Sequence, residues 1–412
     1  MDRYRYVILG GGVTAGYAAE EFAERGIEPE ELCIVAAEDR PPYDRPPLSK
    51  EVLQGKEGSR DALIERASFY DDHGIRLFTG TPVIGVDLER RSLYAEGGAQ
   101  IGYEDLLIAT GSRLRKLDVP GAHLEGIHYL RTAGDADAIL EDVDDARRAV
   151  VIGGGFIGTE VGASLRQQGL DVTLVYRERR LLEDQPLTPR MSTLYEKLFK
   201  DHGVELRPER SVAGFDGRDH LRAVRLDDGE RLDIDLVVAG IGVEPEVSIF
   251  EDGPLAVGDG ILVNEYLETG IPHVHAAGDV ARYYDVLYER RRRIEHWDNA
   301  EQQGRHFARL MTGPRRPFVH VPYFFSDAFD LSWEFWGDTE GARSVVYRGD
   351  VGTGSFSAWW LADRRVVAAF VMERPEDERE AAENLIKSGR PVSANRLEDE
   401  RTELLELARV AA

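Results

Sequence analysis

Cysteine is almost absent from this chain, and that absence removes several kinds of redox chemistry. Cys33 is the only cysteine among 412 residues. Neither an intrachain disulfide nor a redox-active Cys-x-x-Cys pair can therefore form. Cys33 lies in the apolar run 32–35, which is typical of a small buried side chain. With no cysteine cluster and no His-x-x-x-His pattern, we also predict no metal site.

Long apolar runs are also missing. No stretch of the chain approaches the ~20 apolar residues that a membrane span needs, and the N-terminus carries charged residues in place of a signal peptide. We therefore expect a cytoplasmic protein without a membrane span. The formal net charge is −25. A surface this negative repels nucleic acid, so we expect no nucleic-acid partner.

Lysine is scarce relative to arginine. Only six of the 51 Lys and Arg residues are lysines, so each lysine is a candidate for a role that arginine cannot fill. Lys50 follows the unusual run Arg45-Pro46-Pro47-Leu48-Ser49. A lysine ammonium is a compact point charge, unlike the planar guanidinium of arginine. We therefore select Lys50 as a candidate catalytic residue.

A strand, a glycine turn, a helix and a second strand follow one another at the start of the chain. Residues 4–9 are strand-like, Gly10-Gly11-Gly12 follows, a helix-like stretch reaches about residue 25, and residues 32–36 form a second apolar strand. In Gly10-x-Gly12-x-x-Ala15, the small residues permit a tight turn and the approach of a pyrophosphate to a helix N-terminus. Glu38 ends the second strand, where its carboxylate can accept hydrogen bonds from a ribose. This pattern predicts a dinucleotide-binding unit.

The same pattern returns in the middle of the chain. Residues 149–152 lead into Gly153-x-Gly155-x-x-Gly158, then a helix-like stretch to about residue 168 and a strand at 172–176. After that strand, Glu178 favours the free ribose of NADH, whereas Arg177 favours the 2′-phosphate of NADPH. Both residue types are present, so the choice stays open, with a slight preference for NADH.

Three further segments distinguish a flavoprotein from a plain dehydrogenase. Residues 106–111 form an apolar strand that ends in a small-residue turn, and residues 237–245 are its later counterpart. In the third segment, at 269–279, Asp279 follows a strand and a glycine, where its carboxylate can bind a ribityl hydroxyl of FAD. The candidate cofactor-binding residues of these segments are Ala109, Thr110, Gly111, Gly242, Gly278 and Asp279.

Aromatic clusters and short β-like segments dominate the chain after about residue 320. Residues 344–347 and 366–372 are β-like, and the charged tail from 373 onward favours helix. The four aromatic residues Phe324, Phe325, Trp333 and Trp336 fit two interpretations, either domain core or dimer interface, or a route for electrons. We therefore predict an α/β protein with two Rossmann-like dinucleotide-binding domains, for FAD and NAD(P), and a C-terminal α+β domain.

Several motifs together resemble the glutathione-reductase-type flavoproteins that bind two dinucleotides. Residues 42–50, the Gly278-Asp279 turn and residues 295–300 resemble the branch that contains ferredoxin reductases of oxygenase systems, apoptosis-inducing factor and monodehydroascorbate reductase. Residues 322–326 and 333–338 most resemble monodehydroascorbate reductase. This resemblance covers essentially the whole chain and is most specific up to about residue 340.

The resemblance implies a domain order and site roles. An FAD-binding domain would comprise residues 1–117 and 245–320, an NAD(P)-binding domain 118–244, and a C-terminal domain 321–412. Arg45 and Lys50 would lie beside the isoalloxazine ring, where the Lys50 ammonium would stabilise the negative charge of reduced flavin. Glu160 would be the partner of Lys50. Asp279 would contact the ribityl chain, and Trp297 would lie near the pyrimidine end of the ring. Glu295 and His296, which precede Trp297, are further candidate cofactor-binding residues.

Three functions remain open from the sequence. The first is an NAD(P)H-dependent flavoprotein reductase that passes electrons to an acidic redox protein such as a ferredoxin or rubredoxin. The second is a monodehydroascorbate-type or quinone reductase. Relatives of that kind carry basic residues where this chain has Ala300-Glu301-Gln302, and a carboxylate there opposes an anionic substrate. The third is a redox-responsive binding protein like apoptosis-inducing factor, with a homodimer as one possible state.

Arginines are concentrated near the expected flavin segment. Arg290-Arg291-Arg292-Arg293 precedes residue 294, and four more arginines follow at 305, 309, 315 and 316. Two interpretations are open. These arginines either pair with neighbouring acids, or they form a docking patch for an acidic redox protein or an anionic small acceptor.

Overall fold

A computed structural model describes residues 2–409 of the chain, with nine α-helices in that range. In chain order these are α1 (Val13–Glu24), α2 (Ala67–Asp72), α3 (Ala133–Val143), α4 (Phe156–Gln167), α5 (Pro189–Asp201), α6 (Trp297–Thr312), α7 (Glu376–Ser388), α8 (Ala394–Glu398) and α9 (Leu404–Arg409).

The described residues also form 26 β-strands, and several of these follow one another without an intervening α-helix. In chain order they are β1 (Asp2–Leu9), β2 (Leu32–Val35), β3 (Arg76–Phe78), β4 (Val83–Asp87), β5 (Ser92–Ala95), β6 (Gln100–Ile108), β7 (Ser112–Leu114), β8 (Ile127–Tyr129), β9 (Arg148–Ile152), β10 (Asp171–Val175), β11 (Glu205–Arg207), β12 (Val212–Gly217), β13 (Leu221–Leu226), β14 (Arg231–Asp233), β15 (Leu236–Ala239), β16 (Val243–Pro245), β17 (Val257–Gly258), β18 (Gly260–Leu262), β19 (Val274–Ala276), β20 (Ala281–Asp285), β21 (Arg290–Arg292), β22 (Tyr323–Ala328), β23 (Leu331–Gly337), β24 (Ser344–Asp350), β25 (Ser355–Ala362) and β26 (Arg365–Met372).

The first of two structural units comprises residues 2–45, 62–113 and 243–322. Its main sheet has the order β3-β2-β1-β6-β5-β4, and β19 also pairs with β6. β1 runs parallel to β2 and β6, and β19 runs parallel to β6. The carboxyl ends of β1, β6 and β19 therefore meet at one edge of the sheet, which is where open α/β sheets bind their ligands.

The second unit comprises residues 46–61, 114–242 and 323–409. One parallel sheet has the order β11-β10-β9-β15-β8, and β12, β13 and β14 form a small antiparallel sheet. The C-terminal region adds an antiparallel sheet in the order β22-β23-β26-β25-β24, followed by α7, α8 and α9.

The predicted fold class is confirmed. The mixed sheet of the first unit and the parallel sheet of the second each carry a glycine turn between a strand and a helix, at β1–α1 and β9–α4. The C-terminal region is a sheet followed by helices. The three-domain division with boundaries at 118, 245 and 321 stays a prediction. Within residues 2–409, no helix has both the length and the apolar character needed to cross a membrane.

Candidate functional site

The first glycine turn joins β1 to α1 and leaves open space above its backbone. Gly10 adopts a φ of 127°, and a Cβ there would lie 2.1 Å from the Ala109 carbonyl oxygen. At Gly12, a Cβ would meet only the Arg45 guanidinium, at 4.0 Å. Gly12 is the N-cap of α1, and no side chain caps the helix. The turn therefore presents the positive end of a helix without covering it, as a bound pyrophosphate requires.

Glu38 and Arg45, predicted separately, are neighbours in the structure. The Arg45 Nη2 donates a hydrogen bond of 2.9 Å to Glu38 Oε1, and the Tyr43 hydroxyl donates one of 2.5 Å to Glu38 Oε2. The carboxylate is thereby fixed at the end of the second strand, where a ribose is expected. The Arg45 side chain lies beside the glycine turn, and its predicted position beside the isoalloxazine stays a prediction.

The other predicted FAD segments reach the same edge of the first sheet. Ala109 follows β6, and the Thr110 hydroxyl donates a 2.7 Å hydrogen bond to the Glu246 carbonyl oxygen. The Gly278 turn follows β19, and a Cβ on Gly278 would lie 2.4 Å from the Thr14 hydroxyl of α1. Ser112 Oγ lies 3.3 Å from Asp279 Oδ2. The first unit thus brings together Gly10, Gly12, Ala15, Ala109, Thr110, Gly111, Gly278 and Asp279.

Trp297 begins α6 and is held by a carboxylate that the sequence did not single out. The indole Nε1 donates a 2.6 Å hydrogen bond to Asp44 Oδ1, and the Tyr17 hydroxyl lies 3.3 Å from Asp44 Oδ2. Burial raises the pKa of Asp44, and the two hydrogen bonds partly oppose that shift. Burial also lowers the pKa of the neighbouring His296 to about 4. Glu295 forms an ion pair with Arg293.

The second glycine turn repeats the geometry of the first. Gly153 adopts a φ of 121°, and a Cβ there would lie 2.2 Å from the Gly240 carbonyl oxygen. A Cβ on Gly155 would meet no atom within 4 Å, and Gly155 is the uncapped N-cap of α4. At Gly158, a Cβ would lie 2.0 Å from the Gly153 carbonyl oxygen. The turn therefore fits a second dinucleotide phosphate in the same way.

Four charged side chains follow β10, where the ribose of a bound nucleotide is expected, and they differ in whether they have ion-pair partners. Arg179 lies 3.9 Å from Glu209, and Arg180 lies 3.7 Å from Glu183. Arg177 is exposed, and its guanidinium makes no ion pair within the described part of the chain. Glu178 is half-buried. One free cation and one carboxylate thus remain for NADPH and NADH respectively. Gly242, the remaining predicted residue, follows β15 with a φ of 92°.

Lys50 and Glu160 form the predicted pair. The Lys50 Nζ lies 3.3 Å from Glu160 Oε1, and the two side chains are 6% and 5% exposed. The Ser49 hydroxyl donates a 2.5 Å hydrogen bond to Glu160 Oε2, and the Ser326 hydroxyl donates one of 2.7 Å to Oε1. The Lys50 Nζ also lies 5.0 Å from the centre of the Phe325 ring. Both carboxylate oxygens therefore have partners, as a buried ion pair requires.

Three of the four predicted aromatic residues, Phe324, Trp333 and Trp336, lie in a packed core, whereas Phe325 is half-buried beside Lys50. Trp333 and Phe335 are fully buried, and Phe324 and Trp336 nearly so. Phe324 stacks on Phe335 with ring centres 4.9 Å apart. Packing therefore accounts for these side chains, which supports the interpretation as domain core over an electron route.

Most of the clustered arginines have acidic partners in the structure. Arg292 pairs with Asp285, and Arg293 pairs with Asp259. Farther along the chain, similar pairs join Arg305 to Glu20 and Glu301, Arg309 to Glu21, and Arg315 to Glu268. The first interpretation, ion pairing with neighbouring acids, therefore holds for these five arginines. Arg291, which is exposed, donates to the Val263 carbonyl oxygen.

Cys33 is buried in β2, and burial raises the pKa of its thiol, which keeps it in the unreactive form. Within residues 2–409, no group of three or more His, Cys, Asp or Glu side chains is placed to hold a metal ion.

Comparisons with known proteins agree with these two cofactor sites. The model of the pyridine nucleotide-disulphide oxidoreductase family matches residues 4–304, and the model of the reductase C-terminal domain matches residues 323–408. Monodehydroascorbate reductase 4, a peroxisomal protein of Arabidopsis thaliana, is 38% identical over 395 residues, which cover 91% of this chain and 80% of that protein. Monodehydroascorbate reductase 2 of the same plant is 35% identical, with 93% and 94% covered.

Two solved structures match the whole fold. A ferredoxin reductase from Rhodopseudomonas palustris has a TM-score of 0.93 and 31% identity, covering 99% of this chain and 100% of its own. Putidaredoxin reductase, solved in a covalent complex with putidaredoxin, also has a TM-score of 0.93, with 32% identity and coverage of 100% and 99%. The chain therefore belongs to the pyridine nucleotide-disulphide oxidoreductase family and is an FAD-dependent NAD(P)H oxidoreductase.

Proposed function

We propose that this oxidoreductase passes electrons from NAD(P)H, by way of FAD, to a separate redox protein of the ferredoxin or rubredoxin type. The observation that carries the proposal is the agreement of the whole fold with two reductases, each at a TM-score of 0.93. One is described as a ferredoxin reductase, and the other was solved together with its redox protein. The agreement includes the C-terminal region, which the second family model also matches.

Each cofactor is assigned to the unit whose residues fit it. The first unit would hold FAD, with its pyrophosphate at the Gly10–Gly12 turn, a ribose at Glu38 and the ribityl chain at Asp279. The second unit would hold NAD(P)H, with its pyrophosphate at the Gly153–Gly155 turn. Support for both comes from the uncapped helices and from the space that a side chain would fill at Gly12 and Gly155.

The chain itself contributes charge and position to the reaction. FAD, when bound, supplies the hydride acceptor and the donor of electrons to the next protein. Lys50 would supply a fixed positive charge for the reduced cofactor. Glu160 would keep the Lys50 ammonium in one place, since the carboxylate is itself held by two serine hydroxyls. We assign no side-chain nucleophile or general base.

We retain a slight preference for NADH through Glu178. The exposed Arg177 keeps NADPH open, because its guanidinium is free to meet a 2′-phosphate. An Arg177→Glu variant would leave NADH turnover intact and raise KM for NADPH if that phosphate is bound there.

A second candidate function is the reduction of a small molecule of the monodehydroascorbate type. The 38% identity to a plant monodehydroascorbate reductase favours it. From the sequence alone, the Glu301 carboxylate was expected to repel an anionic substrate. In the structure, Arg305 Nε donates a 2.9 Å hydrogen bond to Glu301, and the same guanidinium pairs with Glu20, so the negative charge of Glu301 is partly compensated. Burial also raises the pKa of Glu301. This objection to an anionic substrate is therefore weaker than the sequence alone suggested.

The experiment that separates the two candidates measures acceptor reduction by the purified holoenzyme with NADH. An acidic ferredoxin, a quinone and the ascorbyl radical would be compared at several salt concentrations. We expect fast ferredoxin reduction that slows as salt rises, because charge attraction accelerates association. Fast reduction of the small molecules together with no reduction of ferredoxin would reject the first candidate and support the second.

The proposed docking surface for the acceptor lies near Arg290–Arg293. Arg291 is its best test, because it is exposed, whereas Arg292 and Arg293 are mostly buried and paired. Arg291→Glu should raise KM for ferredoxin by about tenfold and weaken the salt dependence. Arg90→Glu, at an exposed arginine between β4 and β5 and so away from β20 and β21, is the matched control. Equal effects of both changes would reject this location.

A further inference from the structure

The first unit contains a pocket that neither cofactor accounts for. Its volume is about 470 Å³, and it is formed by the outer side of α6, the segment that follows α6, and Arg25 at the end of α1. The FAD-side glycine turn lies at the opposite end of α1. Because α1 has 12 residues, its ends are about 18 Å apart at 1.5 Å per residue. The pocket is therefore separate from the dinucleotide turn.

The pocket is positively charged in a strongly negative protein. Three guanidinium groups line it, from Arg25, Arg309 and Arg316, and no Asp or Glu is among the lining residues. Behind the lining, the Glu21 carboxylate lies 3.4 Å from Arg25 and 2.7 Å from Arg309. One carboxylate thus serves two arginines.

Arg316 adds a charge that has no partner. It is exposed, and its guanidinium makes no hydrogen bond or ion pair among residues 2–409. Two histidines also line the pocket. Burial lowers the pKa of His306 to about 4, so its ring is neutral at pH 7, and His320 is hydrogen-bonded to Asp298. The excess positive charge of the pocket therefore comes from the arginines.

Apart from Gln302, apolar side chains form the rest of the lining. Leu310 and Phe318 contribute to it, and Val319 is 53% exposed, one of few large apolar side chains left open to solvent in the described chain. A pocket of this size with an apolar wall and a few converging charged groups is typical of a small-molecule site. Inorganic ions alone would leave the apolar wall uncovered.

We propose that this pocket binds a small organic anion with two or more carboxylate or phosphate groups. The charged groups would contact the guanidinium groups of Arg25, Arg309 and Arg316, which bind either chemistry through paired N–H donors. The carbon skeleton would cover Leu310, Phe318 and Val319. The proposal is independent of the electron acceptor, because the site needs no redox step.

Calorimetric titration of the holoenzyme tests the proposal. Citrate and pyrophosphate serve as the carboxylate and phosphate probes, at constant ionic strength and with saturating NAD⁺ so that the dinucleotide site is filled. At least one probe should bind with a Kd of ~1 mM or lower. Arg316→Ala should weaken that binding by about tenfold, the loss expected for one charge-assisted hydrogen bond. Arg282→Ala is the matched control and should leave it unchanged.

The result also identifies the chemistry. Tighter binding of citrate assigns a polycarboxylate, and tighter binding of pyrophosphate assigns a phosphate ester. If neither probe binds at concentrations up to about 10 mM, the proposal is overturned. An equal loss in Arg316→Ala and Arg282→Ala would also overturn it, since general charge attraction would then explain the binding. An unchanged flavin absorbance spectrum and thermal unfolding midpoint would show that each variant is folded.

Discussion

At the scale of single residues, the pair Lys50 and Glu160 has the most demanding environment of the predicted site. Moving two charges out of water costs several kcal/mol per ion, and only good geometry with further hydrogen bonds offsets that cost. Here the hydroxyls of Ser49 and Ser326 occupy the carboxylate oxygens that Lys50 alone would leave partly unsatisfied. The pair is therefore stable only as a unit of four residues.

The first prediction follows from that unit. Glu160→Gln removes the charge that compensates Lys50, so the free energy of unfolding should fall by about 3–5 kcal/mol. Chemical denaturation of the holoenzyme, followed by circular dichroism, measures the change. Glu183→Gln is the matched control, because Glu183 pairs with Arg180 at the surface, where an ion pair contributes about 1 kcal/mol or less. Similar losses in both variants would contradict this account of the pair.

The second prediction concerns pH and His306. Burial lowers the folded-state pKa of this ring to about 4, below the value of about 6.5 in the unfolded chain. Below pH 6.5 the unfolded chain therefore binds more protons, and stability is lost as the pH falls from about 6.5 towards 4.

The measurement compares unfolding free energies at pH 7 and pH 5. His306→Gln should lose less stability than the parent chain, by up to about 1.4 kcal/mol for each pH unit in that window. His123→Gln, at an exposed position, is the control and should behave like the parent. A parent and a His306→Gln variant with the same pH dependence would show that burial does not keep this ring neutral.

The contact between Lys50 and Glu160 was implied by the family resemblance and is present in the structure, whereas their role in the reaction stays a prediction. Ser326 was not predicted as a partner of Glu160, because it lies 166 residues away and nothing local marks its hydroxyl. Asp44 lies within the motif at residues 42–50, but its hydrogen bond to Trp297 spans 253 residues. Partners that lie far apart in the sequence meet only through the tertiary fold, and no local sequence pattern marks them.

At the scale of elements, the two glycine turns were predictable because their backbone demands are local. Gly10 and Gly153 adopt φ values above 120° and approach a carbonyl oxygen at a distance that no Cβ allows. The short strands were not predicted. Those of the β12–β14 sheet and of the four-stranded sheet β17-β18-β20-β21 have two to six residues each, too few for a period to stand out.

The sequence predicted helix in the C-terminal tail but not how the tail is held to the rest of the chain. Arg348 on β24 is buried beside Glu378 of α7, with a hydrogen bond of 2.8 Å. Its remaining donors contact the carbonyl oxygen of residue 397 in α8 and those of residues 399, 400 and 402 between α8 and α9. One guanidinium therefore holds two terminal helices to the sheet, a task that needs the five donors of arginine.

The third prediction tests this anchor. Arg348→Lys keeps the charge but supplies fewer donors in a different geometry, so residues 394–409 should exchange their amide hydrogens faster and the free energy of unfolding should fall by about 3 kcal/mol. Hydrogen exchange with mass spectrometry resolves the segment. Arg343→Lys, whose partner Asp363 is exposed, should leave the exchange unchanged. Unchanged exchange in Arg348→Lys would show that other contacts hold the tail.

At the scale of the whole molecule, charge and family membership carry different information. The net charge of −25 predicts repulsion of nucleic acid but does not show where local positive charge remains. Most clustered arginines pair with acids, and among the described residues of the cluster uncompensated charge remains at Arg291 and at Arg316 with its pocket, which only the fold reveals. A cytoplasmic location and a homodimer stay predictions.

The central claim is that NAD(P)H reduces FAD held by this chain, and anaerobic stopped-flow absorbance tests it most directly. Purified holoenzyme would be mixed with NADH and, separately, with NADPH while the flavin absorbance is followed. We predict rapid loss of that absorbance, faster with NADH, and its return when ferredoxin is added. Purification without flavin, or a flavin that neither nucleotide reduces, would contradict the account.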